Sequence, residues 1–159
     1  MYRTGHYGVA LLVYAPVGVA LLAAGRSDAA LVGGALVLAL TPLPDYDQRV
    51  PAITHRGVTH TVGFALLVGA VVGGAAVLAD LGPRAAGFGF LVGALAVGAH
   101  LLADWLTPAG IRPFWPLSGR EYSLSVTTAA NPVANYLLLA LGVLVTVAGL
   151  LALGPLTGG

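Results

Sequence analysis

Long apolar runs broken by short polar punctuation dominate this chain. A helix needs roughly 20 apolar residues to span a bilayer. About five hydrophobic segments approach that length, near Tyr7–Ala24, Ala29–Leu43, Thr61–Leu81, Ala86–Leu106 and Val133–Leu153. The second is short, which suits a tilted, partly inserted or shielded helix. Pro16 should kink the first, because proline removes a helical hydrogen bond. The breaks carry turn chemistry: Gly25-Arg26-Ser27-Asp28, Pro42–Pro51, Leu81-Gly82-Pro83-Arg84 and Thr107–Pro132. The pattern predicts an all-α fold, a polytopic membrane helix bundle forming one membrane-embedded domain over residues 1–159.

Composition supports lipid as the solvent. Of 159 residues, 58% are hydrophobic and only 8% charged, against roughly 25% charged in soluble domains. The net charge of +1 gives no case for nucleic acid or an acidic partner. Cysteine is absent, which removes disulfides and thiolate metal ligands alike. Gly69-x-x-x-Gly73 and Gly89-x-x-x-Gly93 fit the small-residue contacts through which membrane helices approach closely. Ala23-Ala24-Gly25 resembles a signal-peptide cleavage site, but the membrane-helix reading of the first segment is preferred. All seven cations are arginine. With five spans, Arg3, Arg49, Arg56, Arg112 and Arg120 fall on one side, and Arg26 and Arg84 on the other. That bias predicts a multi-pass inner (cytoplasmic) membrane protein with its N-terminus in the cytoplasm and its C-terminus outside.

The four histidines all lie at segment ends on the side assigned to the cytoplasm. His6 precedes the first segment, His55 and His60 lead into the third, and His100 lies near the end of the fourth. Asp45, Asp47, Asp104 and Glu121 join them, so four of six acids share that layer. His100-x-x-x-Asp104 puts imidazole and carboxylate on one helix face, where they can bind one ion or tie two helices together. Ionisable groups inside a membrane segment usually face a cavity or a partner. Asp45-Tyr46-Asp47 is expected to put two carboxylates on the same side of an extended turn, bridging two cations or holding one and orienting a ligand histidine; a solvated turn with a helix-capping acid is the plainer reading. The five-residue separation of His55 and His60 does not fit one helical face, so one lies in a loop or the two do different jobs. Arg56 suits a phosphate or carboxylate group of a substrate, or simple anchoring on the positive side. His6 taken singly could be an interfacial residue. Glu121 reads as an exposed loop acid, and Asn131 and Asn135 as caps or cavity-lining groups.

Together these motifs resemble the LexA-regulated, inner-membrane metal-dependent hydrolase family, the YdjM-like group. The matching pieces are His6, Pro44-Asp45-Tyr46-Asp47, His55-Arg56-Gly57-Val58-Thr59-His60, His100-Leu101-Leu102-Ala103-Asp104, Thr107-Pro108-Ala109-Gly110 and Trp115-Pro116-Leu117-Ser118. The resemblance implies a membrane-embedded hydrolase. The ligand order is also similar, more faintly, to zinc phospholipase C and P1-type nucleases, which cleave phosphoesters. That similarity implies His6, Asp45 or Asp47, His60, His100 and Asp104 as ligands. Those enzymes have a further histidine and a His-x-x-x-Glu later, whereas no histidine follows residue 104 here. One or two ions are therefore expected.

The resulting expectation is metal-assisted hydrolysis of a phosphoester, on a lipid-like or small amphiphilic substrate reaching the site from the cytoplasmic leaflet. Zinc fits His/Asp ligation without thiols, with manganese or iron as alternatives. Asp45 or Asp47 would take a proton from water, and Arg56 would steady the anionic transition state. Two rivals share the residues: a divalent-cation transporter or sensor, and a non-catalytic structural protein tied by hydrogen bonds.

Overall fold

The computed structural model describes residues 1–51 and 54–153. Five α-helices form the bundle: α1 Arg3–Ala23, α2 Ser27–Leu40, α3 Val62–Leu78, α4 Pro83–Trp105 and α5 Pro132–Leu153. Two 3₁₀ helices, Leu43–Arg49 and Val58–His60, lie between α2 and α3. By length and composition four stretches can cross a membrane: Arg3–Ala23, Ser27–Arg49, Pro83–Trp105 and Pro132–Ala152. The shortest apolar helix after α2 is α3, with 17 residues, at the lower end of the roughly 17–25 that span a bilayer. The second segment therefore gains its length by running past Pro42 into the first 3₁₀ helix, and α1 continues through Pro16.

Small residues set how the helices meet. On α3 and α4 the four glycines noted in the sequence all face the partner helix. A Cβ on Gly69 would lie 2.7 Å from the Phe90 carbonyl oxygen, and one on Gly93 would lie 2.9 Å from that of Val68. Antiparallel backbones this close gain dispersion contacts that lipid tails cannot supply. The α1 and α5 helices run parallel and equally close, with Gly8 against the Leu138 backbone and Gly142 against Gly8. α1 is thus packed along α5.

The α2 helix lies against α1 and α4, which makes α4 the central element. One row of α4 (Val92, Ala96, Ala99, Ala103) belongs to the core shared with α1 and α2. A second row (Val97, Leu101) packs with Ala65 and Val68 of α3. His100 and Asp104 lie between these rows, one helical turn apart. They are therefore aimed into the seam where the ends of α1, α2 and α3 meet.

Caps fix the ends around that seam. Thr61 opens α3, its hydroxyl oxygen accepting the Phe64 N–H at 3.1 Å. Asn131 does the same for α5, accepting from Ala134 N–H at 3.2 Å. The long connection between α4 and α5 folds back over the site, held by a bridge between Ile111 and Tyr122 and by Val62 N–H donating to the Pro113 carbonyl at 2.8 Å.

Candidate metal centre

Residues far apart in sequence converge at one end of the bundle. The first turn of α1 delivers His6, the first 3₁₀ helix Asp45 and Asp47, the second His60, and the last turns of α4 His100 and Asp104. All but Asp45 are buried, in a layer expected to lie near the membrane surface. Among the described residues, three groups could hold a metal ion: His6 with His100 and Asp104, Asp45 with His60 and His100, and Asp47 with His55 and His60. These groups contain every ligand-type side chain singled out above except Glu121, which is half exposed and pairs with Arg112 at 3.4 Å.

Hydrogen bonds determine which imidazole nitrogens are free. His100 Nδ1 lies 2.9 Å from the Thr41 carbonyl oxygen, which can only accept, so Nδ1 carries the proton. That carbonyl is available because the end of a helix leaves its last carbonyls without partners. His60 Nδ1 lies 3.0 Å from Thr59 Oγ1, whose own hydrogen goes to Asp47 Oδ2 at 2.7 Å. His60 Nδ1 must then donate as well. Both Nε2 atoms are left as lone pairs, 3.2 Å apart.

Two carboxylates complete this cluster. Asp104 Oδ2 lies 3.4 Å from His60 Nε2 and 3.6 Å from His100 Nε2, and Asp45 Oδ1 is 3.7 Å from each. A tetrahedral ion with bonds of 2.0–2.1 Å separates its ligand atoms by about 3.3–3.4 Å. The two imidazole nitrogens are therefore spaced from each other, from Asp104 Oδ2 and from Asp45 Oδ1 nearly as a small cation requires. His6 joins His100 and Asp104 in a neighbouring group. Its Nδ1 is 3.1 Å from the Tyr2 carbonyl oxygen, leaving Nε2 as a buried acceptor with no hydrogen-bond partner. Leaving such an atom unsatisfied costs about 1–3 kcal/mol; a shared cation would satisfy it.

Asp104 divides its labour between two oxygens. Oδ2 faces the His60 and His100 imidazoles, while Oδ1 lies 3.4 Å from His6 Nε2 and is held by Arg56 Nη2 at 3.0 Å and the Met1 ammonium at 2.9 Å. Asp47 is saturated differently: Oδ1 meets His55 Nδ1 at 2.9 Å, and Oδ2 accepts from Thr59 and from the Arg56 backbone N–H at 3.2 Å. Asp45 and Asp47 thus do not share one side of an extended turn. Their segment is a 3₁₀ helix, in which residues two apart diverge by about 240° at three residues per turn. The His60 ring lies between them, with Asp45 at Nε2 and Asp47 at Nδ1. Burial opposes a charge on His60, but Asp104 and Asp45 outweigh it and raise its proton affinity above the ordinary 6.5.

A model of the YdjM inner membrane protein family matches residues 1–156. The chain belongs to that family. No match was found among curated proteins or among solved structures. The YdjM description and the apolar helices together make this a multi-pass inner membrane protein. That description gives a location and no reaction.

Several residues of this YdjM-family site carry roles that their sequence positions did not announce. Thr41 and Thr59 orient imidazoles, and Thr107 Oγ1 lies 3.5 Å from Arg56 Nη1. Arg56 adopts a left-handed backbone, with φ of 61°, a conformation that costs a non-glycine residue about 1 kcal/mol or more. Its bonds to Asp47, Asp104 and the Gly110 carbonyl, the last at 3.0 Å, offset that cost. Asn135 bonds backbone groups. It is buried, accepting from Tyr2 N–H at 3.0 Å and donating to the Asn131 and Ala129 carbonyls.

Proposed function

We propose that this protein is a membrane-bound, metal-dependent hydrolase acting on a phosphoester of a lipid or other amphiphile. The reading rests on one observation above all: the Nε2 lone pairs of His60 and His100 face each other at 3.2 Å. Two neutral imidazoles so arranged repel unless a cation or proton lies between them. His60, His100, Asp45 and Asp104 are the proposed ligands, with His6 as a further donor beside His100 and Asp104. The donor set is nitrogen and carboxylate oxygen without thiols, which suits zinc and also accommodates manganese or iron. A divalent ion held by these residues would supply Lewis acidity and lower the pKa of bound water to about 7.

The remaining groups have distinct tasks. Asp47, with both oxygens hydrogen-bonded on the far side of His60, orients His60 through Thr59. A proton from water would reach Asp47 only by way of the half-exposed His55 that is hydrogen-bonded to it. Arg56 carries its charge from the Asp104 carboxylate to the edge of an adjoining cavity. There it can stabilise negative charge that develops in the transition state. The arginine bias of the loops supports a cytoplasmic position for this end, from which leaflet substrate would then arrive. A transporter is a weaker reading, since carriers bind their ions near the bilayer midplane and these ligands lie at helix ends.

Elemental analysis of detergent-purified protein beside His100→Ala and Asp104→Ala tests the reading. One or two zinc equivalents in the wild type, lost in both variants, together with metal-dependent turnover of phosphomonoesters or phospholipids, is the expected result. A wild type that stays metal-free after reconstitution with zinc or manganese would leave a structural hydrogen-bond network instead.

A further inference from the structure

The turn Thr54–Val58 and the loop Ala109–Arg112 enclose a cavity of about 510 Å³ immediately beyond Arg56. That volume falls within the roughly 300–1,000 Å³ of small-molecule sites. Its ionisable lining is Arg56, Arg112, His55 and Glu121, with Trp115 forming an aromatic wall. Two of the chain's seven cations therefore border one cavity, and none of the proposed metal ligands does.

We propose that this cavity is a binding subsite for a phosphate ester group, read by Arg112 with Glu121 as its internal competitor. That it serves the substrate rests on the hydrolase reading; its capacity for the anion does not. The Arg112–Glu121 pair is 3.4 Å long, with side chains 57% and 48% exposed. An ion pair so open to water contributes little, so Arg112 can release Glu121 for an anion that takes its planar fork bidentately. Arg56 cannot move in the same way, because Asp104 and the Gly110 carbonyl hold it. It supplies a fixed charge at the end of the cavity nearest the metal cluster.

The loop itself is braced. The Ile111–Tyr122 bridge fixes its base, and Gly110, with φ of 57°, turns where a Cβ would strike the Tyr122 carbonyl oxygen. Phe114, Trp115 and Leu117 alongside are 49%, 47% and 94% exposed. Such apolar groups beside a cationic cavity belong at the headgroup level of a bilayer, where a phosphate ester can come from a lipid. Free phosphate offers the same chemistry.

The test uses full-length, metal-stripped protein in a neutral maltoside detergent, with tryptophan fluorescence read while dihexanoyl phosphatidic acid or inorganic phosphate is added. Saturable binding is expected, weakened about tenfold in Arg112→Gln and tightened in Glu121→Gln. Tighter binding of the lipid phosphate identifies an amphiphile as the source, and equal binding identifies phosphate alone. Binding that is absent, or the same in both variants as in the wild type, overturns the proposal, and Glu121→Gln decides it should Arg112→Gln fail to fold. Binding without any metal-dependent hydrolysis would keep the subsite and remove the hydrolase. Turnover without such binding would do the reverse.

Discussion

Arg56 Nη2 lies 3.0 Å from Asp104 Oδ1, joining residues 48 positions apart in the chain. One partner is almost fully buried and the other is 17% exposed, so the pair is shielded from most of the screening that weakens surface bridges. Removing the guanidinium leaves the Met1 ammonium as the other charged partner of this buried oxygen, so the loss should stay below the roughly 3 kcal/mol that stranding a buried charge costs. Arg56→Met should therefore lower the unfolding temperature of the metal-free protein clearly, and Arg56→Lys should recover only part of the loss. A methionine variant that unfolds with the wild type would show that Asp104 does not depend on this contact.

The two histidines of the His55–His60 motif should separate cleanly. His60 is fully buried with Nε2 turned to the cluster, whereas the His55 side chain is 42% exposed on the other side of Asp47. His60→Ala is expected to lose bound metal, and His55→Ala to retain it while turnover falls by about 10²-fold or more, a magnitude typical of acid–base groups. Equal metal loss in both would move His55 into the ligand set.

Thr59 makes no contact with the four converging ligand atoms, yet it sets the His60 tautomer through its bond to Asp47. Outer groups of this kind change metal affinity by about 10–100-fold when removed. Thr59→Val should weaken zinc binding within that range, measured by competition with a chelator, without changing stoichiometry at saturation. An unchanged affinity would mean that Asp47 orients His60 unaided.

In the metal-free protein a proton can take the cation's place beside His60. Its folded proton affinity is raised, so protonation stabilises the fold fully below the unfolded value, about 6.5. The benefit is lost as pH rises through the higher folded value. Unfolding temperatures of metal-stripped wild type should therefore fall relative to His60→Gln as pH climbs from about 6 towards 8. Metal affinity should run the other way, since the ion needs the neutral ring. Parallel melting curves for wild type and variant across that window would remove His60 from this account.

The apolar runs carried most of the fold. Spans, breaks and the glycine pairs of α3 and α4 are all local properties of the sequence, and lipid as solvent leaves little else for such a chain to do. Convergence of the His and Asp side chains at one end was legible too, because alternating spans return every second helix end to the same face. The division of work among these side chains was not. Asp45 and Asp47 separate because their turn winds as a 3₁₀ helix, and proline-rich turns permit either geometry. Arg56 reaches Asp104 only from a left-handed backbone that nothing in His-Arg-Gly demands. Thr41 matters through a carbonyl, which every residue possesses.

The bond between Tyr2 N–H and the Asn135 side chain, 3.0 Å long, has a consequence for the order of assembly. Asn135 follows every proposed ligand in the chain and lies on α5, which donates none. During synthesis, chain emerges from the N-terminal end first, so all the ligands are made before the contact that anchors the turn carrying His6. The turn that carries His6 is therefore anchored only after α5 has been inserted. α5, chemically silent, is the element whose arrival completes that anchoring.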